Sequence, residues 1–121
     1  MKYSNSFEHD LKIGESAEDW VNELFNGNSK KIEVKVDYIA HKTGNVFIEY
    51  SSRGKPSGIA TTDADYWIYR IEEADCAIIL EVNRLKEKLR TYYKNGMYIK
   101  NGGDDDTSIG FLVPIVELLK I

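Results

Sequence analysis

The sequence predicts an α/β fold, a mixed sheet flanked by helices, and three observations carry that prediction. Residues 32–38 and 46–51 alternate apolar with polar side chains, the two-residue period of strands. Residues 16–27 and 83–96 repeat their apolar positions at helical spacing, and each segment closes on a glycine, Gly27 and Gly96. Helix, strands, helix and strands then follow one another along the whole chain. With 121 residues, 1–121 is expected to be a single domain, large enough for one core and too small for two.

The central stretch is Lys31 to Asp65, which begins as a β-hairpin. In its first run Ile32, Val34, Val36 and Tyr38 share one face, and Glu33, Lys35 and Asp37 share the other. In its second run Phe47, Glu49 and Ser51 share a face, opposite Val46, Ile48 and Tyr50. A turn centred near Lys42 sets Lys35 opposite Glu49, with Asp37 one pair nearer the turn. In that register two carboxylates and one ammonium converge on one patch of sheet.

Around this stretch the elements follow in order. Residues 1 to 13 form a lead-in. Ser16-Ala17-Glu18-Asp19 has capping-box spacing, and Ala17, Val21, Leu24 and Phe25 make the buried stripe of the helix it starts. Ser51 to Gly58 is a polar loop with two glycines, a proline and the cations Arg53 and Lys55. Thr61 to Asp65 is a tight turn or one helical turn. Tyr66–Arg70 and Cys76–Glu81 are strands, the second a central, covered one because CAIIL is apolar on both faces. A basic helix follows, burying Leu85, Leu89 and Tyr92 or Tyr93. Met97 to Lys100 is a short strand, Asn101 to Ser108 a loop, and Gly110 to Ile121 a strand with a short amphipathic turn.

Composition narrows the function classes. Apolar content of 42% and charged content of 30% are ordinary for a soluble globular chain. The longest apolar runs, 76–80 and 111–116, fall far short of a membrane span, so no membrane partner is expected. The N-terminus lacks the apolar core of a signal peptide. The single cysteine, Cys76, sits among apolar neighbours as a buried thiol, which suits a reducing, cytoplasmic setting. His9 and His41 are too isolated for a histidine metal site. A net charge of −4 argues mildly against a nucleic-acid partner, but Arg84, Lys86, Lys88, Arg90 and Lys94 stand against Glu87 alone on one helix.

Three clusters carry possible chemistry. Phosphodiester hydrolysis needs charge neutralisation at the phosphate and an activated water, both of which Mg²⁺ provides. Mg²⁺ takes one or two carboxylates with waters and substrate oxygens. Asp37 and Glu49 supply that pair, Glu18 adds a third oxygen donor through water, and Lys35 orients or helps deprotonate the water. The plain alternative is a solvated sheet face held by Lys–Glu cross-strand pairs. Asp104-Asp105-Asp106 lacks calcium-loop spacing and is better explained as a solvated acidic loop. Tyr92, Tyr93 and Tyr98, beside the basic helix, can stack bases or fill the core.

A helix glutamate, a strand aspartate and a glutamate on the next strand, in that order, resemble the PD-(D/E)XK nuclease superfamily, particularly its small Holliday-junction resolvases and related phage nucleases. Gly14-x-x-Ala17-Glu18 resembles the resolvase helix motif, and Asp37 and Glu49, with eleven residues between them, resemble the metal-binding acids. GNVFIEYSSRGKPSGIATTDADYWIY and the tail GGDDDTSIGFLVPIVELL are similar to phage members, so the resemblance spans roughly residues 14 to 119. It implies a restriction-endonuclease-like sheet core flanked by helices and a Mg²⁺-dependent deoxyribonuclease, with Mn²⁺ as substitute. The substrate would be branched DNA, cut as a homodimer to leave a 5′-phosphate. Catalytic roles fall on Glu18, Lys35, Asp37 and Glu49, metal ligation on Asp37, Glu49, Tyr50 and Glu18, and DNA contacts on Ser51, Arg53, Lys55 and Ser57.

One position departs from the superfamily pattern: serine, Ser51, stands two residues after Glu49, where lysine is usual. Lys35 on the neighbouring strand would fill the same volume. The alternative, Glu33-Val34-Lys35 as the E-x-K element, lacks an aspartate on an earlier strand. A second function class stays open beside the enzyme: a catalytically silent DNA- or protein-binding module on the same fold.

Overall fold

The computed structural model describes residues 7–26 and 30–121, in two compact units, Met1–Lys30 and Lys31–Ile121. The first unit contributes helix α1, Phe7–Asn26. It starts well before the capping-box signal and runs through Gly14 and Ser16 without a break, so Ser16 is a helix-interior residue and not a cap. Leu24 is buried, whereas Leu11, Ile13, Trp20, Val21 and Phe25 are exposed. Gly27, the expected stop, lies outside the described residues.

The second unit is α/β, with two sheets in place of the single one expected. Strands β1 (Ile32–Asp37), β4 (Tyr66–Ile71) and β5 (Cys76–Glu81) form one sheet in the order β1-β4-β5. Strands β2 (Asn45–Ser52), β3 (Lys55–Pro56), β6 (Ile99–Gly102) and β7 (Ser108–Pro114) form the other, in the order β3-β2-β7-β6. The expected hairpin between the runs at 32–38 and 46–51 does not exist. β1 runs parallel to β4, pairing Lys35 with Tyr69, and β2 runs antiparallel to β7, pairing Glu49 with Gly110. The connection between β1 and β2 is the short helix α2, Ala40–Thr43, and not a hairpin turn. Its first amides, Ile39 N–H and Ala40 N–H, donate to Asp37 Oδ1 at 2.9 and 2.7 Å, satisfying donors that a helix start otherwise leaves unpaired. Gly44, at φ 73°, ends the helix and turns the chain into the second sheet.

The expected alternation in β1 is present, and its charged face is the one turned inward. Val34 and Val36 are 54% and 46% exposed, while Glu33, Lys35 and Asp37 are half-buried on the inward face. Parallel register puts Trp67, Tyr69 and Ile71, all buried, beside those charged residues. The next strand also departs from expectation. β5 is an edge strand with Cys76 and Ala77 exposed, so CAIIL is not a covered centre and Cys76 is not a buried thiol.

One core unites the remaining elements. Val46 and Ile48 of β2, Phe111 and Val113 of β7, Trp67, Tyr69, Ile71 and Leu80 of the first sheet, and Val82, Leu85, Leu89 and Tyr92 of helix α3 (Val82–Lys94) belong to one buried cluster. α3 fits the basic helix expected from sequence, with Tyr92 buried and Tyr93 60% exposed. The short strand near residue 97 begins at Ile99, and the loop after it passes through Asp105 and Asp106 in the left-handed region, at φ 57° and 54°. Helix α4, Ile115–Leu118, ends the chain with Leu118 buried. No described helix is long and apolar enough to cross a membrane.

The two sheets are tied by a side chain. Tyr69 of β4 donates its hydroxyl to the Phe47 carbonyl of β2 at 2.5 Å. Burial pushes the Tyr69 phenol well above its ordinary value, an effect that the nearby Trp67 N–H offsets in part and Asp37 reinforces. Because the folded phenol holds its proton more tightly than the unfolded one, the associated stability is complete below pH 10 and is lost as pH rises beyond it. Tyr69→Phe should lower unfolding free energy by roughly 1–3 kcal/mol, since it leaves a carbonyl unpaired. It should also flatten the loss of stability above pH 10. Denaturant titrations at neutral and alkaline pH check both effects.

Candidate functional site

β1 carries Lys35 and Asp37 inward, β2 carries Phe47 and Glu49, and β4 carries Trp67 and Tyr69. With Gly58, from a 3-10 turn over Gly58–Ala60, these residues line a cavity of about 310 Å³. Lys35, Asp37 and Glu49 are therefore brought together, though by two sheets facing one cavity and not by a hairpin ladder. Half-burial of three charges is tolerable here because each has polar company. Asp37 caps α2, Lys35 Nζ stands 3.7 Å from Glu33 Oε2 and 5.5 Å from the Trp67 ring centroid, and Glu49 Oε2 accepts from Ser57 Oγ at 2.9 Å. Among the described residues, no hydrogen bond joins Lys35 to Glu49.

Glu49 is held from three directions. Ser57 N–H donates to the Tyr50 carbonyl at 3.0 Å while the Ser57 hydroxyl takes the Glu49 carboxylate, so one residue clamps both the backbone and the acid. Gly58 presses on the same segment: a Cβ built on it would collide with the Glu49 carbonyl oxygen, and its φ is +54°. Gly110, opposite Glu49, is similarly confined, with the Ile48 carbonyl oxygen 2.5 Å from the position of a Cβ.

A β-bulge separates Glu49 from Ser51. The ladder passes from the pair Glu49–Gly110 directly to Ser51–Ile109, leaving Tyr50 without a strand partner. Ile109 has the parity of Phe111 and Val113, opposite to that of Gly110, so Ser51 leaves the Glu49 face, and it does not line the cavity. The expected shared face of Phe47, Glu49 and Ser51 therefore holds for the first two only. The bulge also bears on Tyr50 as a metal ligand. Its carbonyl is taken by Ser57 N–H, and its ring packs with Tyr93 and Phe111, away from the acids.

The remaining expected residues are placed as follows. Glu18 is an exposed residue of α1, in the other unit. Arg53 and Lys55 are exposed at a hairpin: Ser52 pairs with Lys55 across a two-residue turn, Arg53-Gly54, with φ of 52° and 78°. A non-glycine residue in that left-handed region is strained by about 1–2 kcal/mol, which the Arg53 N–H offsets in part by donating to the Thr107 carbonyl at 2.9 Å. Ser57 donates its hydroxyl to Glu49 and so positions the acid.

Sequence reasoning missed Trp67, Tyr69, Phe47 and Gly58 as cavity walls. The alternation of Trp67 and Tyr69 two residues apart was the one available signal. Trp67 Nε1 is also a buried donor without an acceptor in hydrogen-bonding geometry among the described residues. As for metal ligands, the capping bonds use Asp37 Oδ1 and the Ser57 bond uses Glu49 Oε2. One oxygen of each acid is thus left over, and a carboxylate pair of that kind is the protein share of many Mg²⁺ sites. Among the described residues no group of three or more His, Cys, Asp or Glu side chains assembles for a metal. The sequence matches no protein-family model, and neither a curated protein nor a solved structure matches it.

Gly58→Ala should destabilise the fold by roughly 1–3 kcal/mol, as overpacking against backbone does, with the disturbance centred on Glu49. Chemical denaturation with amide NMR of residues 49–58 checks it; an unperturbed Glu49 amide would show that the turn yields freely.

Proposed function

We propose that this chain is a metal-dependent DNA endonuclease, similar in mechanism to the small resolvases of the PD-(D/E)XK superfamily and acting on branched DNA. The observation that supports the reading is that Asp37, Glu49 and Lys35, which come from two different sheets, face one cavity. In this reading Asp37 and Glu49 hold a Mg²⁺ ion, with Mn²⁺ as substitute. Bound there, the ion supplies charge neutralisation at the phosphate and an acidified water. Lys35 balances the charge developing on the phosphate oxygens and helps take the proton from the attacking water. Ser57 and Gly58 fix the Glu49 carboxylate, and Arg53 and Lys55 hold flanking phosphates. Homodimer formation and a cytoplasmic setting belong to the same proposal.

A second reading is a silent DNA- or protein-binding module of this architecture. It is favoured by Asp37 Oδ1 being committed to capping α2 and by Lys35 being paired with Glu33 instead of Glu49.

Cleavage of junction, flap, nicked and linear DNA with Mg²⁺ or Mn²⁺ separates the two readings. Asp37→Asn keeps a good helix cap and should abolish cutting with the fold intact, as should Glu49→Gln. Lys35→Ala should slow cleavage by roughly 10²- to 10⁴-fold with little change in DNA affinity. Adding Ser51→Lys should not restore it, because the bulge turns position 51 from the cavity. No cutting of any substrate by the parent protein would favour the silent module.

Phosphate contacts have their own measurement. Replacing Arg53 and Lys55 together should flatten the salt dependence of DNA binding by about two slope units, at ~0.9 for each phosphate that a cation neutralises. An unchanged slope places the DNA elsewhere.

A further inference from the structure

A second cavity, of about 340 Å³, opens on the other side of β2. Its apolar lining includes Leu89 of α3 and Phe111 of β7, with the rings of Tyr50 and Tyr93 on its walls. Those two rings meet edge to face, 5.9 Å between centroids. Tyr93 is 60% exposed, so its ring is presented to solvent and not consumed by the core, in contrast to Tyr92. Along the rim stand Lys86, Arg90 and Lys94, one helical face of α3 at four-residue intervals, about 6 Å apart along the axis. Lys86 leans on the Thr62 carbonyl at 3.4 Å, and neither Arg90 nor Lys94 has a carboxylate partner among the described residues.

Two chemistries are combined here: a row of cations that follows a polyanion, and an apolar, aromatic recess that receives a planar, uncharged group. The cavity also adjoins the acidic site. Glu49 and Tyr50 are consecutive on β2 and face opposite cavities, while Gly58 lines the first and Ile59 and Ala60 line the second. The 3-10 turn over Gly58–Ala60 is therefore a wall common to both cavities. A duplex offers no free base to such a recess; an unpaired nucleotide does.

We infer that this apolar cavity receives an unstacked nucleobase of single-stranded or branched DNA, against Tyr93, with the adjoining phosphates on Lys86, Arg90 and Lys94. The inference rests on the nuclease reading for its choice of a nucleic-acid ligand, and it names the feature of the substrate that the protein selects: an unpaired base beside the cut.

The test compares a fluorescently labelled oligothymidylate with an abasic strand of equal length and charge, by anisotropy at fixed salt. The parent protein should bind the base-bearing strand about tenfold or more tighter, the scale of stacking one base on an aromatic side chain. Tyr93→Ala should bring that ratio close to unity and Tyr93→Phe should preserve it, since the ring and not the hydroxyl does the stacking. Replacing Arg90 and Lys94 by Gln should weaken both strands alike. Equal affinity of the parent for the two strands, or a ratio indifferent to Tyr93→Ala, overturns the inference. An acidic amphipathic peptide displacing neither strand is the expected control; one that binds the cavity while neither strand does assigns the site to a protein partner and overturns it. Mg²⁺-dependent cleavage of branched DNA, assayed on the same preparations, keeps the two ideas apart. Cutting without base preference sinks the pocket alone, and base preference without cutting sinks the nuclease alone.

Discussion

The hydrogen bond from the Tyr69 hydroxyl to the Phe47 carbonyl joins two sheets that share no strand pairing, and the acidic site depends on their alignment. β2 has β7 along one edge, but on the other edge β3 covers only Ser51 and Ser52. The carbonyls of the open stretch need partners, because unpaired backbone groups in a buried setting are costly. Tyr69 satisfies one of them and Ser57 N–H another, at Tyr50. The two contacts lie on the residues either side of the Ile48–Glu49 segment. Geometry that a hairpin would have set through a continuous ladder is set instead by one phenol, one serine and the glycine that lets the 3-10 turn close over the strand.

Much of the local structure was legible. β1, β2, β4, β5 and α3 fall within a few residues of the expected spans, and the sharing of one face of β1 by Glu33, Lys35 and Asp37 follows from their alternation. Their meeting with Glu49 does not: the hairpin register expected to bring it about is absent, and two sheets facing one cavity do so instead. Alternation reports that a strand has two faces and leaves unstated which face turns inward; in β1 the inward face is the one that carries the carboxylates and the ammonium. Strand pairing was likewise invisible: the short span between β1 and β2 suggests a hairpin, yet it folds as a capped helical turn that carries the chain to another sheet. The capping role of Asp37 is the physical reason, because a carboxylate ending a strand just before Ile39 and Ala40 is well placed to start a helix.

Other misses share a cause. CAIIL looks like a covered strand because composition measures apolarity without position, and an edge strand can be as apolar as a central one. Ser16 has the capping-box pattern, but a helix already under way need not restart at a serine. The bulge at Tyr50 leaves no mark in a periodic reading; it shows only when the partner strand is known.

That bulge divides β2 into two segments of different phase. Residues 45–49 keep the register that faces the acids, while 51–52 and the Arg53-Gly54 hairpin follow a register of their own. An insertion, a deletion or a change of turn type beyond Tyr50 can be absorbed at the discontinuity instead of being transmitted up the ladder, where a one-residue slip would flip every side chain. The acid-bearing and the hairpin-bearing halves of one strand thus keep separate registers, and the chain, once through the hairpin, comes back across the discontinuity at Ser57 to hold Glu49.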